Sequence, residues 1–210
     1  RLPLLLKPVI GRAVEIDRVV DLLEQHRLIT IVGPGGIGKT TLAVSVLSRN
    51  QAPSAIPCFV DFAPTQDAAL VPARIAAALG LETSAADPVA HLLDRLSRES
   101  HLLIFDNCEH LSEPIADLAD TILRSTQAVR IVATSREALR LDAEIVVRLD
   151  GLTYPPEGEM LSADRASEFS AIQLLVERTQ AAHPGFQLTD ELAVSAAQIC
   201  RRLDGIALAI

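Results

Sequence analysis

The sequence predicts an α/β fold in which helices cover both faces of a five-stranded parallel sheet. Five short apolar runs alternate along the 210 residues with segments of helical periodicity, and this alternation is typical of parallel sheets. A hydrophobic content of 49% is ample for the core of one large domain. The strands are predicted at residues 28–32, 57–61, 102–106, 130–134 and 144–148.

Apolar stripes and capping residues predict the helices that connect these strands. Residues 15–25 carry an apolar stripe just before the first strand. Asp87, which precedes a proline, and Ser112 mark the starts of two later helices, because such side chains cap free N–H groups. The helical segments therefore fall between strands, as crossover connections of a parallel sheet require.

A turn-rich segment divides the chain into three parts. Proline and glycine predict a linker at residues 153–166, which separates a core at 1–152 from a helical lid at 167–210. The lid helices are predicted at 168–182 and, behind a Thr189 cap, at 190–203, with Gly205 as the stop. The only methionine is Met160 and the last five residues form an uncapped apolar run, so we expect a segment of a longer protein.

Composition argues against several classes of protein. No apolar run approaches the roughly 18 residues needed to span a membrane, and no signal peptide is visible. A net charge of −8 disfavours nucleic-acid binding by this segment, since phosphate contacts need clustered Lys and Arg. Cys58, Cys108 and Cys200 lack metal-ligand spacing, which predicts buried, reduced thiols. We therefore expect a cytoplasmic protein with no membrane partner.

A glycine-rich segment connects the first predicted strand to a helix, and we call residues 33–40 the phosphate loop. Its sequence is Gly33-Pro34-Gly35-Gly36-Ile37-Gly38-Lys39-Thr40, which matches G-x-x-x-x-G-K-[ST]. The glycines allow successive backbone N–H groups to surround a phosphate at the positive end of the helix. Lys39 is predicted to reach the terminal phosphates, and the Thr40 hydroxyl to bind Mg²⁺.

A dinucleotide site is the alternative interpretation of the same glycines. Gly33, Gly35 and Gly38 also fit G-x-G-x-x-G, and Asp61 ends the second strand near the acidic position of that motif. A dinucleotide has no use for a lysine and a threonine at the end of the loop, whereas a triphosphate and its metal need both. The sequence therefore favours a nucleoside triphosphate.

Two polar segments follow later strands and complete the predicted site. Asp106 ends the third strand and is predicted to hold Mg²⁺ through a water. Asn107 stands where many hydrolytic relatives carry a carboxylate, and an amide cannot accept a proton from water. Either Glu109 substitutes for that carboxylate or hydrolysis is slow. His110 is expected at the surface.

Arg136 follows the fourth strand, at the same end of the sheet. A cation there is placed to sense the terminal phosphate of a bound nucleotide. The alternative is a surface arginine paired with Glu137.

Together these segments resemble the STAND class of P-loop ATPases, the signal-transduction ATPases with numerous domains, whose nucleotide module is NB-ARC-like. Within that class they look most like the ATPase module of bacterial transcriptional regulators with a winged-helix or LuxR-type DNA-binding domain. The matching segments are Val9-Ile10-Gly11-Arg12, the phosphate loop with Thr41, and residues 103–111, 133–137 and 200–210.

The resemblance implies a P-loop NTPase fold with strand order 5-1-4-3-2 and a nucleotide at the carboxyl ends of the strands. It implies that Val9, Ile10, Gly11 and Arg12 wrap the adenine and ribose, and that the phosphate loop and Thr41 bind the phosphates. It assigns water-mediated Mg²⁺ binding to Asp106 and γ-phosphate sensing to Arg136. Many relatives have Gly-Leu-Pro-Leu in the lid, whereas here Ala207 occupies the proline position.

The predicted function is an ATP/ADP switch with slow hydrolysis, in which Lys39, Asp106 and Arg136 act on the phosphates. ADP is expected to hold a closed state, and ATP to open the lid and permit self-association, while a domain outside the chain binds DNA. Such a switch requires that ATP and ADP differ in affinity for the two states. A metabolic kinase or other phosphotransferase is the alternative, and a module that has lost nucleotide binding is a third.

Overall fold

The computed structural model describes residues 9–49, 55–81, 87–158 and 161–210. Within these ranges five strands form one sheet, in the order β2-β3-β4-β1-β5, and every pair of neighbours is parallel. The strands are β1 Leu28–Val32, β2 Ile56–Asp61, β3 His101–Asp106, β4 Val129–Ser135 and β5 Glu144–Arg148. The predicted sheet and its strand order are confirmed, and each boundary lies within one residue of its prediction.

The described helices connect the strands, and the last three, which we call the lid helices, follow the last strand. They are α1 Ala13–Gln25, α2 Lys39–Arg49, α3 Val71–Ala78, α4 Pro88–Arg98, α5 Ser112–Ser125, α6 Ala163–Ala166, α7 Ser170–Ala182 and α8 Asp190–Arg202. Short 3₁₀ turns lie at Ala68–Leu70 and Cys108–His110. None of the helices in the described ranges has the length and apolar character needed to cross a membrane.

Three helix starts differ in detail from the sequence expectation. Ser112 is the first residue of α5 rather than its cap, because the buried Leu111 precedes it and its carbonyl accepts the first helical hydrogen bond. Thr189 does precede α8, but its side chain makes no capping hydrogen bond. The helix predicted at 168–182 begins at Ser170, and the separate α6 falls inside the predicted linker, of which residues 159 and 160 lie outside the described ranges.

Alternate strand residues point to opposite faces of the sheet, and both faces are apolar. On one face Ile29 and Ile31 pack with residues of α1 and α2. On the other face Leu103 and Phe105 pack with α3, α4 and α5, and the Phe105 ring meets Phe62 edge-on at 5.5 Å between centroids. All six residues of β3 are buried, so the functional groups that follow β3 start from a rigid central strand.

The three cysteines are free and buried, as predicted. Burial raises the pKa of the Cys58 and Cys200 thiols to about 11, because it disfavours the thiolate. These side chains therefore act as small apolar groups of the core and the lid.

Small side chains dominate the packing among the lid helices. The buried positions of this cluster include Ala166, Ala171, Ala193, Ala197 and Cys200, together with Leu152 from the end of the core. Helices that meet through alanines approach closely but bury little apolar surface. Burial stabilises a fold by roughly 25 cal/mol per Å² of apolar surface, so this packing contributes little. The lid therefore depends on its attachment to the core as well as on its own packing.

Backbone contacts attach the end of the lid to the segment after β5. The Leu152 N–H donates to the Gly205 carbonyl oxygen at 2.8 Å. Gly205 has a φ of +63°, and a Cβ there would lie 2.1 Å from the Leu152 carbonyl oxygen. A glycine is therefore required at this position by both conformation and space.

Gly205→Ala is expected to destabilise the protein. The left-handed conformation alone costs about 1–2 kcal/mol for a residue with a Cβ, and the clash with Leu152 adds to that cost. Urea denaturation measures the change in the free energy of unfolding. Gly185→Ala is the matched control, because its added Cβ meets no atom within 4 Å; equal stability of the two variants would contradict the proposed attachment.

Candidate functional site

The phosphate loop crosses the carboxyl end of β1 and leads into α2, which begins at Lys39. Ile37 is 2% exposed and packs in the core between the sheet and α1 and α2. Gly36 and Gly38 have positive φ values of 75° and 105°, which glycine adopts without strain. The loop is thus anchored through one apolar side chain, and its glycines face an open cavity of about 370 Å³.

Lys39 folds back over the loop. Its Nζ donates to the carbonyl oxygens of Gly33 at 2.8 Å and Pro34 at 3.0 Å. Burial lowers the pKa of the lysine, while the nearby negative charge of Glu109 acts in the opposite direction. The lysine also lines the cavity, so its cation is positioned beside the glycines.

Asp106 lies at the centre of the site and is 2% exposed. The Thr40 hydroxyl is 2.8 Å from its Oδ1 and 3.0 Å from its Oδ2, and the Thr134 hydroxyl donates to Oδ1 at 2.5 Å. Burial raises the pKa of the carboxyl, and the two hydroxyl hydrogen bonds oppose that shift. One carboxylate thereby joins α2, β3 and β4.

The residues predicted to hold Mg²⁺ are in direct contact. A hydroxyl and a carboxylate oxygen are ligands suited to this ion, which keeps several waters and takes further oxygens from phosphates. No group of three or more His, Cys, Asp or Glu side chains able to hold a metal occurs among the described residues. The donor set of Thr40 and Asp106 therefore fits a magnesium ion carried in with a nucleotide.

Asn107 adopts the left-handed conformation, with φ 61° and ψ 50°, which asparagine tolerates better than most residues. Its Nδ2 donates to Asp61 Oδ1 at 3.0 Å and to Asp106 Oδ2 at 3.1 Å, and its backbone N–H donates to the Thr134 hydroxyl at 3.1 Å. The amide thus cross-links two neighbouring strand ends. Sequence reasoning missed Asp61 and Thr134 as its partners, although both lie at carboxyl ends of predicted strands.

Arg136 pairs with Glu109 rather than with its neighbour in sequence. The Arg136 Nε lies 3.3 Å from Glu109 Oε1, and both residues line the cavity. Glu137 instead pairs with Arg140, so the alternative of an Arg136–Glu137 pair does not occur. The Arg136 side chain is 68% exposed, which leaves it free to turn toward a ligand.

His110 lies on the outer side of the same turn. It is exposed, as predicted, and its Nε2 lies 2.7 Å from the Thr65 carbonyl oxygen. Neither His110 nor Thr65 lines the cavity.

Of the amino-terminal residues predicted to wrap the base, Arg12 has a structural role. The Arg12 side chain is almost fully buried and donates to the carbonyl oxygens of Ile37 at 3.2 Å and Asp150 at 2.7 Å. Val9 and Ile10 are half-buried, and Gly11 is exposed. Arg12 therefore fixes the phosphate loop to the end of β5, and a nucleotide contact from residues 9–12 stays a prediction.

The lid reaches the phosphate loop directly. The Leu208 N–H donates to the Gly36 carbonyl oxygen at 2.9 Å, and a Cβ on Gly36 would lie 2.7 Å from the Leu208 Cβ. The cavity is lined from the lid by Arg178, Ala207 and Leu208, and from the core by Gly35, Gly36, Gly38, Lys39, Thr40, Thr41, Asn107, Glu109 and Arg136. Arg178, on α7, was missed because no local pattern marks it.

Comparison with known proteins agrees with this architecture. Residues 22–141 match the family model described as AAA domain. The match covers the sheet from before β1 to after β4, including the phosphate loop and Asp106. The chain therefore belongs to the AAA domain family, which contains ATPases built on a phosphate loop.

The relatives and structural neighbours are longer than this chain. The "Putative HTH-type transcriptional regulator Rv0890c" of Mycobacterium tuberculosis is 38% identical over 193 residues, which are 90% of this chain and 20% of the relative. Cdc6p from Pyrobaculum aerophilum has a TM-score of 0.64 at 16% identity, over 99% of this chain and 60% of the other. The chain spans about one fifth of the length of the mycobacterial relative.

A third similarity is to the Signal Transduction ATPase with Numerous Domains (STAND) protein with a tetratricopeptide repeat sensor from Pyrococcus horikoshii. Its TM-score is 0.54 at 15% identity, over 97% of this chain and 29% of the other. At these identities the two structures show the fold alone. The match to the AAA domain family does not favour the metabolic kinase.

Asp106→Asn is expected to make the nucleotide-free protein more stable relative to wild type at neutral pH than at acid pH. Burial raises the pKa of Asp106 in the folded state, so the folded state binds its proton more tightly and stability falls as pH rises through that range. The gain should disappear below the ordinary carboxyl pKa of 3.8. Melting temperatures of both proteins at pH 7 and pH 3 measure it, and a difference between them that does not change between these pH values would contradict a raised pKa for Asp106.

Proposed function

We propose that this domain is an ATP/ADP-binding regulatory switch with slow hydrolysis, within a cytoplasmic, signal-responsive transcriptional regulator. The observation that carries the proposal is the contact between lid and phosphate loop. The Leu208 N–H bonds to the carbonyl of Gly36, a residue of the loop that would hold the phosphates. A nucleotide that reshapes the loop therefore changes the surface on which the lid rests.

The residues at the cavity support a bound nucleoside triphosphate. Lys39 and Arg136 supply two cations, and the start of α2 supplies N–H groups and the positive end of a helix dipole. Thr40 and Asp106 would hold Mg²⁺, whose chemistry is to neutralise charge on the phosphate oxygens. Val9, Ile10, Gly11 and Arg12 are proposed to lie along the base and ribose.

The base is proposed to meet the lid as well. Ala207 lines the cavity in the position where the resembling proteins have a proline. A methyl group offers less apolar surface than a proline ring, so base affinity through this contact is weaker. Arg178 brings a further cation to the cavity from α7, which couples the lid to the charge of the ligand.

The identity of the residue after Asp106 supports the proposed slow hydrolysis. Asn107, which follows it, is an amide that donates to two carboxylates and cannot take a proton from water. Asp106 itself accepts hydrogen bonds from two hydroxyls. We propose that a site without a base at this position retains its nucleotide, which suits a switch.

The partners of the whole protein are proposed from its relatives. The mycobacterial protein named as an HTH-type regulator extends well beyond the matched region, so we propose that DNA binding resides in another domain of the protein. The net charge of −8 fits a domain that does not itself bind DNA. Self-association in the ATP state, with ADP holding the closed state, completes the proposed cycle.

Lys39→Ala is expected to abolish ATP and ADP binding while the sheet remains folded. The variant removes the cation beside the glycines but no part of the apolar core, and charged hydrogen bonds contribute about 1.5–3 kcal/mol each. Calorimetric titration with Mg-ATP measures affinity, and circular dichroism checks folding. Arg124→Ala, an exposed cation on α5, is the control, and wild-type affinity of the lysine variant would refute a phosphate site here.

Arg136→Gln is expected to weaken ATP binding by about tenfold or more and to leave ADP binding unchanged. The reason is that only ATP carries the γ-phosphate, and one charged hydrogen bond to it is lost. Competition titration with both nucleotides measures the ratio of affinities. Arg140→Gln, an exposed arginine on the same segment, should keep the wild-type ratio; an unchanged ratio in the Arg136 variant would remove its role as a sensor.

A further inference from the structure

Three carboxylates lie near the predicted phosphates, and two of them are already engaged. Asp106 accepts hydrogen bonds from the hydroxyls of Thr40 and Thr134. Asp61 Oδ1 accepts from the Asn107 amide and from the backbone N–H of Ala63, and Asp61 does not line the cavity. Neither is placed to take a proton from a water that attacks a terminal phosphate.

Glu109 is placed differently. It lines the cavity, and its Oε1 lies 3.3 Å from the Arg136 Nε. Its Oε2 is buried, and no residue in the described part of the chain donates a hydrogen bond to it. A buried carboxylate oxygen without a donor is costly, so the carboxylate gains a hydrogen bond once a movement of the exposed Arg136 side chain lets a water reach it.

The turn that carries Glu109 is held on both sides. Cys108 is fully buried, with its thiol 3.3 Å from the Phe105 carbonyl oxygen. His110 contacts the Thr65 carbonyl oxygen on the outer side. The left-handed conformation of Asn107 turns the chain between these anchors and the strand. The neighbours in sequence thus fix the turn and leave Glu109 directed at the cavity, which is the preorganisation that proton transfer needs.

The charges around Glu109 change when a triphosphate enters. Its carboxylate pairs with Arg136. It is also close enough to Lys39 for its negative charge to act to raise the pKa of that lysine. Phosphate oxygens compete for both cations, because they offer several anionic acceptors. When Arg136 turns to the γ-phosphate, Glu109 Oε1 loses its partner and both carboxylate oxygens become available to a water.

We propose that Glu109 is the general base that activates the hydrolytic water in this domain, in place of the residue directly after Asp106. The inference rests on the proposed function, since it requires ATP in the cavity. A bond forms between the water oxygen and the γ-phosphorus, and the bond from that phosphorus to the β–γ bridging oxygen breaks. The electron pair leaves with ADP, and the water proton passes to Glu109 and then to solvent.

A purely structural role, in which Glu109 only positions Arg136, makes a different prediction. Glutamine has nearly the same shape, and its amide oxygen still accepts a hydrogen bond from the arginine, but it cannot take a proton. Replacement by glutamine also removes a negative charge beside the phosphates. General-base catalysis therefore predicts slower hydrolysis with equal or tighter ATP binding, whereas a positioning role predicts a parallel change in binding and rate.

Glu109→Gln is tested in the full chain by single-turnover hydrolysis of radiolabelled ATP and by calorimetric affinity. We expect hydrolysis to slow by about 100-fold or more, with ATP affinity equal to or above that of the wild type. Glu137→Gln, an exposed glutamate outside the cavity, is the matched control and should hydrolyse ATP at the wild-type rate.

The outcomes separate this inference from the proposed function. A Glu109→Gln variant that hydrolyses ATP at the wild-type rate, or that loses affinity in proportion to its rate, would overturn the role of Glu109 and leave the switch intact. A wild-type protein that binds ATP but does not hydrolyse it would do the same. A wild-type protein that binds no nucleotide would refute both.

Discussion

The buried carboxylate of Asp106 is the group on which the site depends. Burying a charge is costly unless hydrogen bonds compensate it, and here the compensation comes from Thr40 on α2 and Thr134 on β4. Those bonds fix the start of α2, and with it the phosphate loop, against the central strands. Asn107 extends the network to Asp61 at the end of β2. Four elements of the core thus share one polar centre, and the apolar packing on both faces of the sheet holds it rigid.

The cavity beside this centre is balanced in charge by the protein's own groups. Glu109 pairs with Arg136, and Lys39 bonds to carbonyl oxygens of its own loop. A triphosphate would replace these internal partners rather than enter a site of free cations. Its net affinity is therefore the difference between the interactions that the triphosphate forms and the internal ones that it replaces. Modest changes in the lid can shift that difference. The bond from Leu208 to Gly36 is the contact through which such a change would pass.

Membership of the AAA domain family and the size of the relatives give this arrangement a context. The chain spans about one fifth of the mycobacterial regulator to which it is similar, so the signals that act on the lid and the output that it controls are proposed to lie in other parts of the protein. A lid built on alanines and attached through glycine backbone contacts has a small core of its own. Small packed units of this kind open at lower free energy than a central sheet, which fits the proposed role of the lid.

Local patterns of hydrophobic period, glycine and charge predict the sheet, most of its helices, the phosphate loop and the carboxylate at the end of β3. Which of these groups contact one another depends on long-range packing. Arg136 pairs with Glu109 and not with Glu137, and Asn107 bonds to Asp61. Those contacts follow from the order in which the strand ends lie side by side and from one left-handed residue that redirects the chain, and neither is visible in residues that are adjacent in sequence.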